Sequence, residues 1–210
     1  GAAPAGPMKA EIRPLVDGEP LAPATFNPRR DRWERPHDWP TTDALVIYAR
    51  VDGGFSVWDP EVMGEGDPQS SALDISRQEL WDRVERDDVV LCNGLLIDWF
   101  QWQSRHPETF ERFFGLVRAL FAADAVVEVG GAVPLSLIDG REVPTILLPS
   151  GEVRIDLLSA GMKRVLGLAY VVQWAFGRHQ RARRQRTLDA SPFNIVFLFD
   201  EVEAHLHPRW

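Results

Sequence analysis

Ile195-Val-Phe-Leu-Phe-Asp200-Glu201 is the stretch on which the reading of the fold turns. Five consecutive apolar residues without alternation are how a central parallel strand, covered on both faces, reads. Its C-terminal end delivers two adjacent carboxylates. Burying charge is costly without a cation or hydrogen bonds, so Asp200 and Glu201 are expected at the strand's mouth. In open α/β sheets, ligands bind at that edge. Nucleotide hydrolysis uses such a pair: the first carboxylate holds Mg²⁺ through water and the second orients or activates the attacking water. The plainer reading is an acidic cap, with Asp200 starting a helix at Glu201-Val-Glu203.

Upstream lies Leu158-Ser159-Ala160-Gly161-Met162-Lys163-Arg164, which opens a long helix expected from Met162 to about Arg184. Val165 to Phe176 is apolar on nearly every side, so the first half of that helix is expected to be buried. The second half is basic (Arg178, His179, Arg181, Arg183, Arg184, Arg186) and reads as a solvated helix end, with nucleic-acid contact as the sharper alternative. A small Ser-Ala-Gly turn at a helix start exposes unpaired amides beside the positive end of the dipole, which suits a phosphate. Ser159 acting as an ordinary N-cap explains the same residues more simply.

Eight of the 16 prolines fall within residues 1–40, so that arm is expected to be irregular, with 1–7 a linker or tag remnant. A β-hairpin and helical lobe is expected over 41–150, and the long helix with the carboxylate-ended strand of the core over 151–210. Ala44–Arg50 and Phe55–Asp59 flank Asp52-Gly53-Gly54 and read as a hairpin. Ser76 with Glu79 forms a capping box for a helix over 76–85. Residues 96–121 read as helix in two pieces split near Pro107, with Phe110, Phe113, Phe114, Val117, Leu120 and Phe121 on a core stripe. A second hairpin is expected about Asp139-Gly140, pushed toward a sheet edge by Pro134 and Pro144. The eight tryptophans are expected mostly in the core or between lobes, some marking a surface that a further segment covers.

The chain has 210 residues, 45% of them hydrophobic, and a net charge of −8. That balance fits a globular chain and argues against a whole-surface footprint for nucleic acid. Cys92 stands alone, which excludes an internal disulfide and a thiolate zinc cluster and points to a reducing, cytoplasmic setting. No apolar run is long enough for a membrane span.

Together, Leu-Ser-Ala-Gly-Met-Lys-Arg and Ile-Val-Phe-Leu-Phe-Asp-Glu-Val-Glu-Ala-His-Leu-His-Pro resemble the C-terminal half of an ABC-type ATPase head. They are most similar to the bacterial ATPases grouped with the SMC, RecF and overcoming-lysogenization proteins. Asp-Ala-Leu-Val-Ile-Tyr-Ala-Arg and Cys-Asn-Gly-Leu-Leu-Ile-Asp-Trp also look like this group, so the resemblance spans residues 9–210. It implies a partial P-loop NTPase fold of the α/β class, with a parallel core strand, antiparallel β-hairpins and a helical lobe. It further implies ATP and Mg²⁺ as cofactors. Ser159, Ala160 and Gly161 match the signature turn that closes over a partner's γ-phosphate, Asp200 the magnesium-associated carboxylate, and Glu201 the catalytic glutamate. The implied activity is an ATP-dependent dimerising switch, in DNA repair or phage defence, with a nucleic acid or nuclease as further partner.

The departures shape the expectation. No G-x-x-x-x-G-K-S/T loop occurs, and neither of the two lysines, Lys9 and Lys163, ends a glycine-rich loop. The chain is therefore expected to be an internal fragment of a longer ATPase, poorly active alone, whose partner is a second copy or the missing N-terminal ATPase segment. The competing reading is a non-catalytic binding or scaffolding module without a phosphate loop. A third is a metal-dependent phosphohydrolase using Asp200, Glu201, His205 and His207; residues i and i+2 of a helix diverge, which weighs against a shared ion.

Overall fold

The computed structural model describes residues 44–63, 72–121, 126–186 and 194–200, with 11–12, 15–16, 19–20, 24–27, 29 and 32–34 of the arm. Its chain divides into two compact units, 1–42 and 43–210. The first holds five short strands: β1 (Glu11–Ile12), β2 (Leu15–Val16), β3 (Glu19–Pro20), β4 (Ala24–Asn27) and β5 (Arg32–Glu34). β1, β4 and β5 form an antiparallel sheet, and β2 pairs with β3. An irregular segment was expected from the prolines; of these only Pro20 lies among the described residues, in β3 of a two-stranded pair where both strands are edges.

The second unit is mixed α/β, and four helices lie among its described residues. In chain order it contains β6 (Leu45–Ala49), β7 (Phe55–Trp58), α1 (Pro60–Met63), β8 (Leu73–Ile75), β9 (Val84–Arg86) and β10 (Val89–Cys92). Next come α2 (Leu95–Arg105), α3 (Pro107–Leu120), β11 (Glu128–Pro134), β12 (Glu142–Leu148) and β13 (Gly151–Arg154). A 3₁₀ turn at Ile155–Leu157, α4 (Ala160–Arg186) and β14 (Ile195–Phe199) complete it. No helix among the described residues is long and apolar enough to cross a membrane.

The sheet that matters runs β14-β6-β7-β8. β6 and β7 form the hairpin expected from Asp-Gly-Gly: Gly53 takes φ 90°, and the Gly54 amide donates to Asp52 Oδ1 at 2.8 Å. Period-two alternation buries Leu45, Ile47, Ala49, Phe55, Val57, Leu73 and Ile75 on one face, in one core with Val165, Leu166, Ala169 and Tyr170 of α4. Gly167 lets α4 approach closely, since an added Cβ would stand 2.7 Å from Leu80 Cδ2. The helix break at Pro107 also falls where expected. Trp99 meets Phe110, Phe113 and Phe114 edge-on at 5.4, 5.5 and 5.9 Å. Beside them, Tyr170 Oη donates to the buried Asp98 carboxylate at 2.8 Å, and Asn93 donates to its other oxygen. Burial nonetheless pushes the Asp98 carboxyl above the usual carboxylate range.

Four expectations are corrected. The capping box does form, with Ser76 N donating to Glu79 Oε2 at 2.8 Å and Glu79 N to Ser76 Oγ at 3.2 Å. It starts only a turn, because Val84–Arg86 pairs with Val89–Cys92 and places Val84 and Cys92 in the core. Pro144 lies in β12, the middle strand of β11-β12-β13, whereas β11 is the edge and carries a bulge between Val129 and Ala132. β14 is parallel to β6 but is not a covered central strand among the described residues. It has one neighbour, and Val196 to Phe199 are 39–50% exposed. Finally, the basic half of α4 is not wholly solvated: His179 is buried with Nδ1 2.8 Å from Asp59 Oδ1, and the Arg178 guanidinium lies 5.4 Å from the Trp174 ring.

Candidate functional site

β14 joins the sheet in strict parallel register, from Ile195 opposite Leu45 to Phe199 opposite Ala49. Asp200 therefore emerges where two parallel strands end together. Its amide donates to Ala49 O at 3.0 Å, and Tyr48 Oη donates to its Oδ2 at 3.2 Å. Burial first, and the neighbouring Asp200 charge second, push the Tyr48 phenol above its ordinary range, so its hydroxyl keeps its proton and remains a hydrogen-bond donor to Asp200. Asp200 Oδ1 has no hydrogen-bond partner among the described residues.

The turn Ser159-Ala160-Gly161 is anchored toward the same sheet end. Ser159 caps α4, accepting at Oγ from Met162 N at 3.3 Å and at its carbonyl from Lys163 N at 2.9 Å. The amides of Ala160 and Gly161 belong to the first helical turn, where a helix has no carbonyl of its own to offer. One turn on, Arg164 reaches the β6–β7 hairpin. Its guanidinium donates to Arg50 O at 2.6 Å and Gly54 O at 3.4 Å and lies 4.8 Å from the Phe55 ring. Desolvation lowers the Arg164 pKa from its ordinary value. Arg50, one residue beyond Ala49, pairs in turn with Asp52 at 3.2 Å and Asp74 at 3.3 Å. A small cavity of about 130 Å³ lies between Ala160, Lys163 and Arg164 on one side and Asp52, Gly53 and Arg77 on the other.

Thus Asp200 and the Ser159–Gly161 turn are linked through one residue pair, Ala49-Arg50, at one sheet end. Glu201, His205 and His207 lie outside the described residues. Among the described residues no three His, Cys, Asp or Glu side chains gather as metal ligands. Tyr48, Arg50 and Arg164 were missed from sequence. Arg164 carried a signal: a cation directly before the apolar run Val165 to Phe176 is drawn into partial burial and so demands a partner.

Replacing Arg164 by Met keeps the aliphatic stem but removes both carbonyl contacts. The expected loss is about 1.5–3 kcal/mol, the usual worth of hydrogen bonds to a charged donor. Urea unfolding at neutral pH measures it, and hydrogen exchange should quicken first at Gly53 and Gly54. A wild-type midpoint in that variant would remove Arg164 as the anchor of the turn.

Compared with known protein families, with curated proteins and with solved structures, the chain finds no match in any of the three.

Proposed function

We propose that this chain is the signature and Walker B part of an ABC/SMC-like ATPase, a partial P-loop NTPase fold that acts as an ATP-dependent dimerising switch. The observation that carries the reading is the shared anchoring of two elements. Asp200 ends a strand parallel to β6, and Arg164 ties the Ser159–Gly161 turn to the residue following that same β6 strand. In this reading the two elements serve different nucleotides, Asp200 the chain's own and the Ser159–Gly161 turn the second copy's, and the shared anchor on β6 fixes how both are presented.

The residues fit the groups they would hold. Asp200 is half-buried, with one oxygen engaged by Tyr48, and its other oxygen can bind Mg²⁺ directly or through water. The start of α4, with Ser159 and Ala160 exposed and Gly161 half-buried, offers amides suited to phosphate oxygens of a nucleotide seated mainly on a second copy. Mg²⁺ would supply charge neutralisation at the phosphates. Tyr48 holds Asp200 in place, Ser159 and Gly161 contact the γ-phosphate, and Glu201 accepts the proton of the attacking water. Closure on ATP and release after hydrolysis make the γ-phosphate a population shift between two assemblies.

The reading requires a phosphate loop, which this sequence lacks. A segment bearing that loop and its strand would also pair the open edge of β14 and cover its apolar faces. The test is Mg²⁺-dependent ATP turnover by this chain alone and with native upstream sequence attached. Turnover is expected only with the upstream sequence, and Asp200→Asn should abolish it. A protein so extended that neither binds nor hydrolyses ATP would favour the scaffolding reading instead.

A further inference from the structure

The turn between β11 and β12 projects two large aliphatic side chains into solvent: Leu137 is 108% exposed and Ile138 98%. Hydrogen bonds within and beside the turn fix its shape. Leu135 N donates to Arg141 O at 2.7 Å, and Ser136 Oγ accepts from Ile138 N at 3.3 Å and Asp139 N at 2.9 Å. Arg141 clamps the Asp139 carboxylate, with Nη2 2.7 Å from Oδ2, and Arg154 Nη1 donates to Leu135 O at 2.9 Å. The tip is a preorganised apolar knob, so docking it costs little ordering entropy.

A groove of about 1230 Å³ opens beside the base of the same hairpin, with Leu135 and Arg141 in its wall. Its floor is apolar and aromatic, made by Trp81 of the capping-box turn with Ile97 and Phe100 of α2. The rim carries both signs, Arg77, Arg83, Arg141 and Lys163 with Asp82, Glu142 and Asp156, a near balance that gives no strong field for a highly charged ligand. A two-fold dimer buries the same patch on both copies, so knob and hole must share one surface. Here the knob rises from the wall of the hole.

We propose that two copies of this chain exchange their hairpin tips, Leu137 and Ile138 of each entering the groove floored by Trp81, Ile97 and Phe100 of the other. The mixed-sign rims pair reciprocally around the apolar contact. This association needs no nucleotide and does not use Ser159–Gly161 or the edge of β14, while Arg77, Trp81 and Lys163 line both the groove and the small cavity beside α4.

The test uses the full 210-residue chain without nucleotide. Sedimentation equilibrium across the micromolar range should show a monomer–dimer equilibrium. The double variant Leu137→Asp, Ile138→Asp should weaken it at least tenfold while leaving the circular dichroism and melting curve unchanged. Geometry is read separately by mixing a Leu137→Cys variant with an Ile97→Cys variant and adding a short bismaleimide. Cys92 stays silent in that experiment, because burial pushes its thiol up to about 11. Cross-links between positions 97 and 137 are expected. A monomer at every concentration, a dimer undisturbed by the double variant, or cross-links joining 137 only to 137 would each overturn the proposal. A monomer that binds apolar peptides through the same groove would assign it to a heterologous partner instead.

Discussion

Glu201→Gln, in protein that also carries the phosphate-loop segment, is expected to lower Mg²⁺-dependent ATP turnover about 10²- to 10³-fold while nucleotide binding is retained. The substitution keeps the size and hydrogen-bonding reach of the side chain but removes its ability to accept a proton. A positioned general base contributes roughly that factor. Asp200 is untouched by the change, its amide still fixed on Ala49 O at 3.0 Å and its carboxylate on Tyr48. Binding and catalysis should therefore separate: kcat falls and the ATP-bound dimer lives longer. Steady-state turnover together with size-exclusion chromatography in ATP reads both. Undiminished hydrolysis would remove Glu201 from the chemistry.

Gly94→Ala is expected to cost about 2–6 kcal/mol of stability. Gly94 precedes α2 with φ 86° and ψ 157°, a region that side-chain-bearing residues scarcely enter, costing roughly 1–3 kcal/mol. An added Cβ would also stand 2.3 Å from Asp82 O and 2.8 Å from Trp81 O. These are backbone atoms of the turn that caps the helix: Leu80 O accepts from Leu95 N at 2.9 Å and Trp81 O from Leu96 N at 3.2 Å. The clash cannot be relieved by a rotamer change, and overpacking of this kind adds about 1–3 kcal/mol. Urea denaturation followed by tryptophan fluorescence measures the sum. A loss under about 1 kcal/mol would place the change in the ordinary range and contradict the strain.

The sequence spoke clearly where local pattern and tertiary demand agreed. Asp52-Gly53-Gly54 specified its hairpin because only glycine takes φ 90° without strain. Pro107 divided α2 from α3 because the residue before a proline resists helical backbone. Ser76 and Glu79 misled because their capping box is real but the residues after it belong to a hairpin. The overlooked signal was Asp87-Asp88, which takes φ 50° and 62° between Arg86 and Val89 in a two-residue turn. Of the candidate site, Asp200 and Ser159–Gly161 were legible as motifs. The residues that tie them together were not, because Tyr48, Arg50 and Arg164 acquire meaning only when distant strands lie side by side. His179 and Arg178 show the same limit, since a basic run betrays nothing of the buried Asp59 that receives one of its members.

The register of β14 also dictates an order of events. Tyr48 and Asp200 meet across 152 residues, so the parallel pairing closes a very long loop, whereas β6, β7 and β8 are near neighbours in the chain. Hairpins and helices form in microseconds, and contacts of such separation come late. The three antiparallel strands can therefore pair first, with α4 and β14, each reaching them across more than a hundred residues, docking afterwards. Asp200 reaches its place only in that late stage, so the candidate site is assembled after the hairpin strands on which it rests.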